Sequence, residues 1–298
     1  MIIPKTLKMG YPNMKYNFLR FPGGKEKAVT LSYDDGSKYD LNFLEIINQY
    51  GFKCTFNLMG KNVENEKPLS QTSIRENMLA KGHEIAIHGY NHRAQHKIRP
   101  IEGIREIVDC RIALERAFDI IVRGMAFPAE VVTPSLEPEK YARIKHYLED
   151  LEVAYARSAR PDNDRFELPE DWYNWIPTAH HDNPQIMEYI DKFVNLDLSD
   201  LYVTKRTPKL FFMWGHCKEF ERKQNWDHLE EICRGLGGRD DIWYATNIEI
   251  YDYVQAYRSL RYSADAGIVF NPTLLDVWFD VDGVLYCVKS GETITINA

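Results

Sequence analysis

The segment Lys27-Ala28-Val29-Thr30-Leu31-Ser32-Tyr33-Asp34-Asp35-Gly36 alternates in polarity, with Val29, Leu31 and Tyr33 on one side, and stops at two aspartates and a glycine. Period-two alternation closed by a turn residue is the pattern of a β-strand with distinct faces. Tyr39–Tyr50 then changes period: Leu41, Phe43, Leu44 and Ile47 fall on one helical side and Gly51 is placed to end the turn. A strand followed at once by a helix is the unit from which parallel sheets are built.

The same unit recurs downstream. Strands are predicted at Lys53–Met59, His83–His88, Ile120–Phe127, Glu152–Arg157, Lys209–Trp214 and Asp241–Ala245. Helices are predicted between them: one opened by a Ser73/Glu76 capping box and closed at Gly82, then Ile101–Phe118 and Glu139–Asp150. Asn183-Pro184 opens a helix to about Val194, Trp226–Leu236 forms another, and a last one runs to about Leu260. About seven or eight such units predict an α/β fold, a distorted (β/α) barrel of parallel strands, with an open doubly wound sheet as the alternative. From Tyr262 the helical period ends and short β runs follow, two of them joined by Asp282-Gly283, a hairpin signal. The predicted organisation is therefore a barrel over 1–261 and a small C-terminal β appendage over 262–298.

Composition narrows the function. The 298 residues carry a net charge of −7 without a basic block, which argues against nucleic acid and anionic membrane as partners. There is no run of about 20 apolar residues to span a bilayer. Met1–Arg20, with Lys5, Lys8 and Lys15, lacks the apolar core of a secretory signal, so a cytoplasmic location is expected unless a signal was removed. Five scattered cysteines (Cys54, Cys110, Cys217, Cys233, Cys287) give neither a disulfide framework nor a CxxC zinc pair. Aromatic residues at 13% suit a carbohydrate-facing cleft and equally a large core.

Three motifs stand at predicted strand ends, where barrel enzymes place their functional groups. Asp34-Asp35 offers two carboxylates pointing in different directions, one able to hold a cation while the other takes a proton. His88-Gly89-Tyr90-Asn91-His92 offers two imidazoles that face one way if the chain enters a helical turn. Two histidines with one aspartate form a metal set that leaves positions open to water. His216 ends the strand Lys209–Trp214 and could act as an acid or simply cap the strand. Residue type alone does not say which aspartate is ligand and which is base.

Together and in this order the motifs resemble the polysaccharide deacetylases, the fourth family of carbohydrate esterases. Tyr33-Asp34-Asp35-Gly36, His88–His92 and Met213-Trp214-Gly215-His216 carry the resemblance, which covers about residues 25–260. It implies Asp34 as catalytic base, His216 as catalytic acid, and Asp35, His88 and His92 as ligands of a divalent metal: zinc, or cobalt or nickel, which accept the same set. It implies a hydrolase that removes acetyl groups from an N- or O-acetylated oligosaccharide or polysaccharide, with water activated by the metal. The family's arginine before a proline is replaced by Ala126 in Ala126-Phe127-Pro128-Ala129-Glu130, and Arg123 is the nearest candidate to stand in. Ala129 takes the place of an aromatic but keeps the backbone N–H that would hold an oxyanion. Trp172, in Asp171-Trp172, and Trp214 are the candidate groove walls, and Trp175–Asn183 is assigned to the rim without a chemical step. Two other readings stay open: a non-catalytic glycan-binding barrel, and a hydrolase of a small non-sugar amide. Oligomeric state is not legible.

Overall fold

The computed structural model describes residues 16–129, 133–159 and 161–296; the lysine-bearing stretch before Tyr16, and Glu130, lie outside them. The chain divides into two compact units. One comprises Lys27–Leu196 and Lys209–Tyr251; the other comprises the described residues of Met1–Glu26, Asp197–Pro208 and Asp252–Ala298.

In chain order the strands begin with β1 (Asn17–Arg20), which belongs to the second unit, and continue into the first with β2 (Lys27–Asp34), β3 (Cys54–Leu58) and β4 (Glu84–Ile87). These are followed by β5 (Gly124–Ala126), β6 (Tyr155–Arg157), β7 (Ala179–His180), β8 (Lys209–Gly215) and β9 (Ile242–Tyr244). The first unit is a parallel sheet in the order β6-β5-β4-β3-β2-β8-β7, with β9 beside β2. It curls, and a parallel bridge from Arg157 to Trp175 draws the two edges together. The distorted barrel expected from the sequence is the fold.

Alternation along β2 sets the layers. Val29, Leu31 and Tyr33 enter the main apolar cluster with Phe43, Phe56, Ile85, Ile87 and Phe220. Each such side chain contributes roughly 1.5–3 kcal/mol on full burial. Thr30, Ser32 and Asp34 face the other way and are also buried, so the sheet's inner side is polar and must satisfy itself internally. Thr30 donates to Asn247, and the Asn57 amide donates to Ser32 Oγ and Asp34 Oδ1, each at 2.8 Å. This polar seam ends at the carboxyl ends of the strands and becomes the site.

Several boundaries differ from expectation. The predicted capping box at Ser73 is not the N-cap: Ser70 is, its side chain accepting the Ser73 N–H, and the helix runs Gln71–Asn77. β5 occupies only the last part of Ile120–Phe127, and β7 lies in a stretch read as rim. The appendage is also more than 262–298. β10 (Arg261–Tyr262), β11 (Ile268–Phe270) and β14 (Thr293–Thr295) form one antiparallel sheet. β12 (Val277–Val281) and β13 (Val284–Val288) form another, and its third strand is β1 from the start of the chain. A short β segment at the C-terminus cannot complete a core, so it recruits Asn17–Arg20. Asp282 and Gly283, with φ 49° and 90°, make the predicted hairpin turn.

Candidate metal centre and catalytic groups

The loop His88–His92 is not helical. Gly89 and His92 both have positive φ (74° and 60°), and these two reversals bring the imidazoles together with ring centroids 4.8 Å apart. The loop is held from below by Glu106 of the helix Pro100–Phe118. Its carboxylate accepts the Asn91 backbone N–H at 2.7 Å and the Asn91 amide at 3.0 Å, and its carbonyl accepts the Tyr90 N–H. A Cβ at position 89 would stand 3.2 Å from Glu106 Oε2 in a backbone conformation that L side chains rarely adopt.

His88 is buried and donates from Nδ1 to the Ala126 carbonyl at 3.0 Å. That bond fixes the proton on Nδ1 and leaves the Nε2 lone pair free, the usual orientation of a metal-ligating histidine. Burial also lowers the pKa of His88, favouring the neutral ring. Asp35 has φ 78°, a left-handed conformation that costs of order 1–2 kcal/mol in a non-glycine residue. It sends Oδ1 to 3.6 Å from His88 Nε2 and 3.4 Å from His92 Nε2. Ligands at about 2.0–2.2 Å around a tetrahedral ion lie roughly 3.3–3.6 Å apart, so these three atoms fit one divalent cation. Lys218 pairs with the other Asp35 oxygen and, outweighing burial, holds the carboxyl below its usual range.

Asp34 points inward from β2 and stays off that point, its Oδ2 3.9 Å from His88 Nε2. Burial alone would raise its pKa; the adjoining Arg157 guanidinium, with Nη2 2.5 Å from Oδ2, overrides this and lowers it. Arg157 ends β6 and pairs in register with Ala126 of β5. The guanidinium beside Asp34 thus comes from the strand next to the one that ends at Ala126. Arg123 precedes β5, at the end of that strand away from Ala126. Its signal in the sequence is an isolated charge closing the apolar run Val153–Ala156.

His216 stands on the other side, Nε2 3.8 Å from Asp35 Oδ2. Glu219, in the first turn of the helix Cys217–Lys223, accepts the His216 backbone N–H at 3.2 Å and has Oε1 3.4 Å from Nδ1. Burial would lower the His216 pKa, but Glu219 and the two aspartates raise it. Glu219 was missed in the sequence, although its spacing from His216 is that of a capping box. Trp214 lies beside His216, with the Arg157 guanidinium 4.7 Å above its ring.

The remaining predicted positions are placed differently. Trp172 is buried, packed edge-on against Trp175 and Tyr251 at 4.8 and 5.0 Å. It is core, and its neighbour Asp171 is occupied by Tyr141, Lys145 and the Tyr173 N–H. Ala129 is exposed with φ 58°, following Pro128, whose ring lies against Gly89. The cysteines are all free, four of them buried. No helix among the described residues is long and apolar enough to cross a membrane.

Residues 21–139 match the family model for polysaccharide deacetylase. Over those residues the chain resembles the polysaccharide deacetylases. A curated relative, the peptidoglycan-N-acetylglucosamine deacetylase of Bacillus cereus, is 38% identical over 74 residues, 24% of this chain and 25% of that protein. The match therefore spans a quarter of the relative's length. A solved structure from Mycobacterium smegmatis, assigned to the polysaccharide deacetylases, overlays with a TM-score of 0.55 at 16% identity. It covers 80% of this chain and 94% of that one, a likeness of fold. A variant of a pseudoenzyme of the fourth carbohydrate esterase family overlays at 0.49 with 14% identity, covering 79% of this chain and 70% of that one. Among the described residues of the barrel, two clusters have metal-ligand composition: Asp35, His88 and His92, and a second formed by His180, His181, Asp182 and Glu219.

Proposed function

We propose that this protein is a metal-dependent hydrolase that removes the acetyl group from an N-acetylated carbohydrate. The observation that carries the reading is the convergence of Asp35, His88 and His92 on one point, with Asp34 and His216 on either side of it. The family match and the amino-sugar deacetylase among its relatives favour an acetamide as substrate.

Asp35, His88 and His92 would hold a divalent cation, which when bound would supply Lewis acidity and bring the pKa of water to about 7. Zinc suits the two-imidazole, one-carboxylate set, which cobalt and nickel also accept. Asp34 takes the proton of the attacking water. Arg157 and Asn57 hold its carboxylate ionised and fixed in direction, so it enters the reaction without reorganisation. The Ala129 backbone N–H is the candidate donor to the developing oxyanion; one such donor contributes about 3–4 kcal/mol. His216, whose pKa Glu219 raises, delivers a proton to the departing amine. An amine is a poor leaving group, so this last proton decides whether the amide breaks.

The test is acetate release from N-acetylglucosamine oligomers by the Zn2+-loaded protein. Release that stops on chelation and returns with Zn2+ supports the reading. No release from sugar amides or acetyl esters by fully loaded protein would refute it.

A further inference from the structure

On the far side of His216 from Asp35, Glu219 also belongs to a second group of ligand-type side chains, whose histidines and aspartate take no part in this chemistry. His180 and His181 come at the end of β7, Asp182 follows, and Glu219 reaches in from the helix after β8; one ligand atom from each lies within 4.8 Å of all the others. His181 is fully buried. Its ring is stacked between Tyr33 (5.7 Å, 2°) and Phe220 (4.1 Å, 23°), and Nδ1 lies 3.3 Å from the Tyr33 hydroxyl. Gly215 is required there, because a Cβ would fall 1.9 Å from His181 Nδ1.

In this fixed seat His181 Nε2 has no hydrogen-bond partner. It faces Asp182 Oδ2 and Glu219 Oε2, each 3.5 Å away. The nearest polar partners of this buried nitrogen are thus two anionic oxygens beyond the roughly 2.7–3.2 Å of a usual hydrogen bond, which leaves it incompletely satisfied. The spacing is also that of ligands on a tetrahedral ion, roughly 3.3–3.6 Å. His180 has a different part: its Nδ1 accepts the Asp182 N–H at 3.1 Å, so its proton sits on Nε2, 3.1 Å from Glu219 Oε2. It orients a ligand rather than being one.

We propose that His181 Nε2, Asp182 Oδ2 and Glu219 Oε2 form a second divalent-cation site, separate from the Asp35 centre. One imidazole and two carboxylates accept Zn2+ or Mn2+. Lys223 places its ammonium 2.6 Å from Asp182 Oδ2 and is 44% exposed, so ion entry exchanges this ammonium into water. The bound cation fixes the Glu219 carboxylate whose other oxygen faces His216, and so couples the second site to the orientation of that imidazole.

Zn2+ titration of the chelator-stripped full chain, by calorimetry with elemental analysis, tests this. Two ions per chain are expected in the wild type, one in His88→Ala, one in Asp182→Asn and none in the double variant, all with unchanged far-UV circular dichroism. Lys223→Met, which alters only a surface group, binds the second ion several-fold more tightly; unchanged affinity contradicts the proposal. One ion in the wild type, lost in His88→Ala and kept in Asp182→Asn, removes the second site and leaves the first. The opposite pattern keeps the second site and removes the Asp35 centre.

Discussion

Arg157 donates from Nη2 to Asp34 Oδ2 at 2.5 Å, although the two residues are 123 positions apart and their side chains are only 1% and 4% exposed. A charge pair so deeply buried cannot lose one member cheaply, because the other is left ionised without water. Its value here is in holding one carboxylate in a fixed direction, with its pKa lowered, beside Asp35, His88 and His92.

Arg157→Met is therefore expected to destabilise the fold by about 3–5 kcal/mol, measured by urea unfolding. Adding Asp34→Asn should recover part of that loss, since the stranded anion is gone. A double variant no more stable than Arg157→Met would show that the guanidinium matters for packing and not for the charge of Asp34.

Asp34→Asn alone should bind Zn2+ with unchanged stoichiometry while turnover falls at least 100-fold, the scale of a lost general base. Turnover near the wild-type rate would reassign the base. Lost metal would make Asp34 a ligand.

His216→Ala should slow N-acetyl amides at least 100-fold more than activated aryl acetates, whose leaving groups need no proton. Equal losses on both substrates would withdraw the acid role. Glu219→Gln should shift the alkaline limb of the amide rate profile to lower pH. Glu219 raises the His216 pKa, so without it the ring loses its proton at lower pH.

Stability should also depend on pH through Glu84, which is enclosed by Tyr155 Oη, Thr55 Oγ1 and the Ile248 N–H, all donating to it. Burial pushes its carboxyl from 4.5 up to about 7. The folded chain then keeps a proton that the unfolded chain releases near 4.5, so this contribution to stability falls as pH rises from about 4.5 to about 7. The loss is on the order of 3 kcal/mol at most. Urea midpoints of Glu84→Gln should show a shallower decline over that range than wild type. Parallel curves would mean that Glu84 ionises normally.

The barrel and the roles of β2, β4 and β8 were legible because alternation, helical period and stop residues are local properties, read within a few residues of one another. Asp34-Asp35, His88 and His92 were legible as candidate groups for the same reason, as residue types at strand ends; which carboxylate meets the two rings was not, and the structure brings Asp35 Oδ1 to both. Local pattern failed where partners are distant. It made the meeting of His88 and His92 conditional on a helical turn, whereas two positive-φ residues held by Glu106 bring the rings together. It offered Arg123 because Arg123 is near Ala126 in sequence, whereas parallel pairing of β5 with β6 puts Arg157 beside it. It gave Trp172 to the groove, although the indole fills the core. Chain proximity governs secondary structure, but charge pairing and burial depend on which strands become neighbours, and only the closed sheet decides that.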